Sequence, residues 1–280
     1  MKPIKIENLI GSVGGDLKDE LVVELLHRSR RKIDRALKRI RRPEAAVGIV
    51  KSPLGDLLVA TSARGVALAH YLHDDSDLTV TIAKLRSDFD RVDDQRTVAE
   101  VGNEVRRYLA GDLEALRQNI DLTLVGHSFQ KRVLGKLQAV PRGAVISYQA
   151  LAAASGAPNG ARAVGNALHS NPVPIYVPCH RVISSDGRIG GYGGGVARKI
   201  QLLRSEGFDL DNSQGRIPDN IVWGHKGTKI YCRRSCRTTA HVDRTRIFFF
   251  ADPKQARRAG MRPCKICCPG LNGSDLRPRA

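Results

Sequence analysis

Residues Ile175–Ser184 read IYVPCHRVIS, and they place Cys179 directly beside His180 and behind Pro178. The other cysteines, Cys232, Cys236, Cys264, Cys267 and Cys268, stand more than fifty residues downstream. A single cysteine next to histidine has the makings of a nucleophile with its base. On the dipeptide alone, a small buried thiol beside a structural histidine fits as well, because free cysteine is often buried. Neighbours on a strand point to opposite faces, so a contact between the two needs a turn or a bridging water. Pro172, Pro174 and Pro178 oppose a regular strand, since proline removes ladder donors. The segment therefore reads as a short extended run entering a sharp loop.

The surroundings decide between these readings. Arg162–Gly195 runs RAVGNALHSNPVPIYVPCHRVISSDGRIGGYGGG and is followed by KIQLLRSEG to Gly207. Upstream, Phe129–Gly156 runs FQKRVLGKLQAVPRGAVISYQALAAASG. Together these closely resemble the catalytic domain of the O6-alkylguanine-DNA alkyltransferase family. SPLGDLLVATSARGVALAHYL, from Ser52, is similar to that family's N-terminal domain, so the resemblance covers roughly 46–207. It implies an α+β protein with a small antiparallel-sheet N-terminal domain and a mainly helical, winged helix-turn-helix catalytic domain.

The resemblance also implies roles. Cys179 accepts the alkyl group, His180 takes its proton through water, Glu206 orients the histidine, and Asn171 braces the loop. Tyr148 contacts a flipped guanine and the adjacent phosphate. Arg162 fills the gap in the duplex from a nearly bare helix in which Gly165 permits close approach. Tyr192 and Gly193–Gly195 form a pocket wall whose N–H groups face O6. The implied partner is double-stranded DNA carrying O6-alkylguanine. Many relatives carry Trp where Leu134 stands, which reads as a packing change.

Charge agrees with a polyanionic partner. The chain has 46 Lys+Arg against 28 Asp+Glu, a formal net charge of +18, and each neutralised phosphate releases counterions. General basicity also serves solubility. No apolar run long enough for a membrane span and no signal peptide is present, so a cytoplasmic, nucleoid-associated monomer without membrane contact is expected.

The coarse organisation follows the residue patterns. Residues 1–45 form a basic extension in which Leu17, Leu21, Leu25, Ile33, Leu37 and Ile40 recur at near-helical spacing, ended by Pro43. Residues 46–83 read as strands, and 97–110 as a helix carrying Val98, Val101, Val105 and Tyr108 on one face. The unit 46–122 shows no chemically suggestive cluster and reads as a scaffold. Within 123–207, helices are expected over Phe129–Val140, Tyr148–Ala154 and Gly160–His169, the last capped by Asn159. The second and third suggest a helix-turn-helix.

After a linker at 208–221 comes a second signal. Cys232-Arg-Arg-Ser-Cys236 and Cys264-Lys-Ile-Cys267 form two close pairs 27 residues apart. That is the pattern of a four-thiolate Zn²⁺ site, with Cys268 spare. The segment 222–270 resembles the metal-binding domain of the bacterial adaptive-response (Ada) protein, and a tail at 271–280 follows. In that protein the module comes first and precedes a transcription-activating helix-turn-helix, so the order here is reversed and no activator is visible. The resemblance makes Cys232 a candidate methyl acceptor from methylphosphotriesters. A structural module adding basic surface fits equally, with 14 Lys+Arg against 3 Asp from Lys226 onward. No organic cofactor is implied. Two other readings remain open: a noncatalytic lesion-binding protein, against which Cys179 argues, and an adaptive-response transcription factor.

Overall fold

The computed structural model describes residues 28–30, 42–210, 215–218, 221–239 and 242–269. Most of the expected N-terminal basic helix lies outside these residues; Arg28, Ser29 and Arg30 within it are helical. No helix among the described residues is long and apolar enough to cross a membrane.

The first sheet has the order β3-β2-β1-β4, built from β1 (Glu44–Val50), β2 (Leu57–Ser62), β3 (Gly65–Tyr71) and β4 (Asp90–Val92). β1, β2 and β3 form an antiparallel meander, and β4 adds in parallel beside β1. Between β3 and β4 lies a helix the sequence reading missed, α1 (Asp75–Asp88), capped by the Asp74 side chain on the Asp77 N–H. Its run of Leu78, Thr79, Val80, Thr81 and Ile82 resembles a strand by β propensity. The tertiary contact of Leu78, Ile82 and Leu85 with the outer face of the sheet decides for helix.

α2 (Gln95–Leu109) starts at the Asp94 cap and buries Val98, Val101, Val105 and Tyr108. Those positions lie on one face at helical spacing, and they cover the inner side of the meander. Tyr108 comes last, so the helix delivers its phenol deep into the next layer.

That layer carries α3 (Ser128–Gln138), β5 (Ala144–Ser147), α4 (Tyr148–Ala154), α5 (Ala161–His169), β6 (Val182–Ile183) and α6 (Val196–Ser205). α4 has the expected bounds and is capped by Ser147. For α5 the expected cap is corrected. Gly160 occupies the N-cap and, being glycine, offers no side-chain bond; its N–H turns back onto the Ala157 carbonyl at 2.8 Å. α3 ends two residues before the expected Val140, ahead of Pro141.

A second sheet has the order β10-β8-β7-β9-β5-β6, where β7 is Val222–His225, β8 Ile230–Arg233, β9 Ile247–Phe250 and β10 Arg262–Pro263. α7 (Pro253–Arg258) follows β9. The cysteine-bearing segment therefore shares one sheet with β5 and β6, and described residues of the expected linker pack against the catalytic layer. Phe208, Leu210, Ile217 and Ile221 are buried among Val145, Ile183 and Leu203. Phe248 and Phe250 enter the main core, each contributing on the order of 2 kcal/mol by burial.

Candidate functional site

Residues 179–181 form one 3-10 turn, entered through Pro178. Ile175, just before it, holds φ at +75°, a rare state for a β-branched residue, while its side chain is buried. Bonds from Val177 N to Val173 O (2.9 Å) and from Cys179 N to Val177 O (2.8 Å) keep the loop in that shape. Asn171 braces it from within. Its Oδ1 accepts from Val173 N, and its Nδ2 donates to Val177 O and to Cys179 Sγ, each at 3.1 Å.

Behind Cys179 lies a buried charged cluster. His180 Nε2 is 2.7 Å from Glu206 Oε1 and 3.2 Å from the Tyr108 hydroxyl. Arg181 Nε donates to both Glu206 oxygens at 2.8 and 3.0 Å, and its Nη1 to Val140 O. The Tyr108 hydroxyl also donates to Oε1, and Gly143 N–H to Oε2 at 3.0 Å. Burial pushes the Glu206 carboxyl up, yet Arg181 and His180 outweigh it and hold it at about 2.

An ionised Glu206 accepts the Nε2 proton, which leaves a lone pair on Nδ1 of His180. That atom is buried without a protein partner. Burial pulls the His180 pKa down against the pull of Glu206, so the ring is neutral near pH 7. Burial also raises the Cys179 thiol, opposed by the Asn171 bond and the charge of Lys199. Cys179 thus stands as a protonated thiol, next in sequence to a neutral imidazole.

Cys179 opens onto a cavity of about 250 Å³ lined also by Asn171, Tyr71, Tyr192, Gly193 and Gly194. The Tyr71 and Tyr192 hydroxyls meet at 3.1 Å. Gly194 is required here, since a Cβ on it would fall 2.6 Å from the Tyr71 ring. Lys199 is fully buried and donates to Val182 O and Ile189 O at 2.6 Å and Gly191 O at 3.1 Å, tying the glycine loop to β6. The expectation of free N–H groups along 193–195 needs correcting at Gly195, whose N–H bonds the Tyr192 carbonyl at 3.0 Å.

Tyr148 is half-buried at the start of α4, its hydroxyl 3.4 Å from Gly191 O, on the same glycine loop. Arg162 is exposed in the first turn of α5. One turn on, a Cβ at Gly165 would meet nothing within 4 Å, so that side of the helix faces open space.

The Sγ atoms of Cys232, Cys236, Cys264 and Cys267 all lie within 4.8 Å of one another. Ile266 N–H points at Cys264 Sγ (3.4 Å) and Arg233 N–H at Cys267 Sγ (3.3 Å), as suits thiolates. Four sulfurs so close fit a tetrahedral zinc site. Cys268 bonds the Lys265 carbonyl instead. Bound Zn²⁺ keeps such thiols deprotonated and supplies folding energy to a small module.

Comparison with known proteins agrees with this geometry. Residues 128–208 match the model of the 6-O-methylguanine DNA methyltransferase DNA-binding domain, and residues 210–270 that of the metal-binding domain of Ada. The methylated-DNA–protein-cysteine methyltransferase of Methanosarcina barkeri is 32% identical over 162 residues, 58% of this chain and 97% of that one. The chain belongs to the methylated-DNA–protein-cysteine methyltransferase family. The member from Mycolicibacterium paratuberculosis is 46% identical over 111 residues, 40% of this chain and 66% of that protein. The bifunctional transcriptional activator/DNA repair enzyme Ada of Escherichia coli is 38% identical over 154 residues, 55% of this chain and 43% of Ada. The chain spans just under two thirds, 64–66%, of the M. paratuberculosis and Salmonella methyltransferases it matches. Its C-terminal segment, matching the Ada module and bringing four cysteines together, is its zinc site.

Sequence reasoning missed Tyr71, Tyr108, Arg181 and Lys199. Tyr71 and Tyr108 come from the unit read as a scaffold, yet one walls the cavity and the other bonds the His180–Glu206 pair. Arg181 carried a usable signal: an arginine beside a buried Cys-His pair needs a buried carboxylate.

Proposed function

We propose that this chain repairs DNA by direct reversal, moving a methyl or larger alkyl group from guanine O6 to Cys179. The observation that carries this is the cavity with Cys179 in its wall and the His180–Glu206 pair buried behind it. The alkylated oxygen cannot be attacked in line inside the stack, so the nucleotide is flipped into the cavity, costing a few kcal/mol of unstacking. His180 Nδ1 takes the thiol proton through a water. The sulfur bonds the alkyl carbon as the O6–carbon bond breaks, and guanine leaves with that electron pair and takes up one proton. Glu206 and Tyr108 hold the Nε2–H tautomer, and Asn171 holds Sγ. Arg162 fills the stack from the open face of α5, Tyr148 contacts the base and the neighbouring phosphate, and Tyr192 with Gly193 walls the pocket. The thioether formed on Cys179 is a stable bond, so in this reading each molecule acts once.

The partner in this reading is double-stranded DNA, met by a cytoplasmic monomer, with 46–122, 123–207 and 222–270 as working units. The test is to incubate the protein with DNA labelled on the O6-methyl group. Label should move to wild-type protein and not to Cys179→Ala. A Cys179→Ala variant that still removed the label would sink the assignment, whereas a wild type that only bound would favour a lesion-binding protein.

A second reading concerns the zinc site. Of its four cysteines only Cys232 lines a cleft of about 340 Å³, with Trp223, His225 and Thr238. That access favours Cys232 as acceptor of a methyl group from a backbone methylphosphotriester.

A further inference from the structure

Gly143 lies between the two halves of the chemistry. Its N–H donates to Glu206 Oε2 at 3.0 Å, and its carbonyl accepts from Ala251 N at 3.2 Å. β5, which begins at the next residue, pairs antiparallel with β9, Ala144 opposite Phe250 and Val145 opposite Phe249. Gly143 has φ +68°, and a Cβ there would fall 2.7 Å from Gln255 Cδ and 2.8 Å from its Oε1. The Gln255 side chain, from α7, therefore rests directly on this residue. The same two residues cover the other backbone segment at the carboxylate. A Cβ on Gly207, which follows Glu206, would meet Gln255 Nε2 at 3.6 Å and Ala251 Cβ at 4.0 Å.

Both segments that carry or fix the Glu206 carboxylate are thus held by the C-terminal module. In sequence β9 and α7 lie between the ligands Cys236 and Cys264. In the sheet β9 pairs with β7, and β7 pairs with Cys232-bearing β8. A module this small has little core of its own, so the four-cysteine set adds to the pairing with β5 in holding its strands in register. A buried carboxylate orients a histidine only as well as its own donors are placed.

We propose that the zinc module is a positioning element of the alkyl-transfer site, holding Glu206 through Gly143. This rests on the reading of Cys179 as the acceptor. It differs from a DNA-anchoring role because it acts without DNA.

The test therefore uses free O6-benzylguanine base, which needs no duplex, and follows alkylation of Cys179 in the full, zinc-loaded chain. Gly143→Ala drives a methyl into Gln255 and should slow the reaction about tenfold or more, the usual scale for a lost outer-shell partner. Adding Gln255→Ala removes the colliding atoms and should restore the part of the rate lost to the collision, leaving only the strain of a Cβ at φ +68°. A double variant as slow as the single one, or a single variant as fast as wild type, would overturn the proposal. If Gly143→Ala fails to fold, stripping zinc from wild type decides instead. Hydrogen exchange at the Gly143 amide should rise while alkylation by the free base falls, and no change in either would contradict the coupling. A zinc-loaded wild type that transfers nothing to Cys179 would sink the alkyl-transfer reading, and the amide exchange would still decide the coupling.

Discussion

Glu206 and His180 meet at 2.7 Å in a core where neither side chain reaches solvent. A carboxylate so placed is costly unless every lone pair is used, and here Arg181, Tyr108, His180 and Gly143 use them. The arrangement fixes which ring nitrogen carries the proton and leaves the other with a free lone pair. In the proposed reaction, catalysis and stability are therefore linked at Glu206.

Glu206→Gln should show both effects. It keeps the shape but leaves the Arg181 guanidinium buried without an anion, which costs about 3–5 kcal/mol when one partner of such a pair is lost. Urea denaturation should report that loss, and Cys179 alkylation should slow at the same time. A variant as stable as wild type would contradict the ion-pair account.

Acid should weaken the fold in two stages. His180 has a folded pKa below its ordinary 6.5, so below that pH the unfolded chain binds a proton that the folded chain does not. Stability conferred by the neutral ring is full above pH 6.5 and is lost as pH falls. Glu206 is held at about 2 against an ordinary 4.5, so its share is full above 4.5 and disappears between 4.5 and 2. Urea midpoints measured across pH should fall through both windows, and Glu206→Gln should lack the lower one.

Arg162→Ala should separate extrusion from chemistry. The side chain is exposed on α5, away from the buried cluster, so its loss leaves the base and nucleophile intact. Repair of duplex DNA should slow far more than attack on free O6-benzylguanine, which needs no flipping. Equal losses on both substrates would point to a packing defect.

Much of the site was legible because its residues sit in contiguous runs. Cys179 and His180 are adjacent, Asn171 is eight residues upstream, and the cysteine pairs have recognisable metal spacing. Tyr108 was not legible as a site residue. On α2 it is one more apolar position on a buried face, and only the docking of that helix brings it to Glu206. Arg181 and Lys199 were lost in a general surplus of basic residues, though both are buried. The β5–β9 pairing joins residues more than a hundred positions apart, and no local pattern announces it.

Zinc analysis should find one ion per chain, bound by Cys232, Cys236, Cys264 and Cys267. Cys268→Ser should leave that stoichiometry unchanged, since its sulfur bonds the Lys265 carbonyl and lies outside the cluster. After exposure to methylphosphotriester DNA, methyl mass on the Cys232 peptide would mark a second acceptor. Its absence with zinc fully bound would leave a structural module.

The central claim is that one thiol accepts one alkyl group and is then spent. Mass spectrometry of the protein after reaction with excess O6-methylguanine duplex tests it most directly. The account predicts a plateau at one methyl group per chain, all of it on the peptide containing Cys179. Continued demethylation of DNA beyond that plateau, or a Cys179 peptide still unmodified when the lesion has gone, would contradict it.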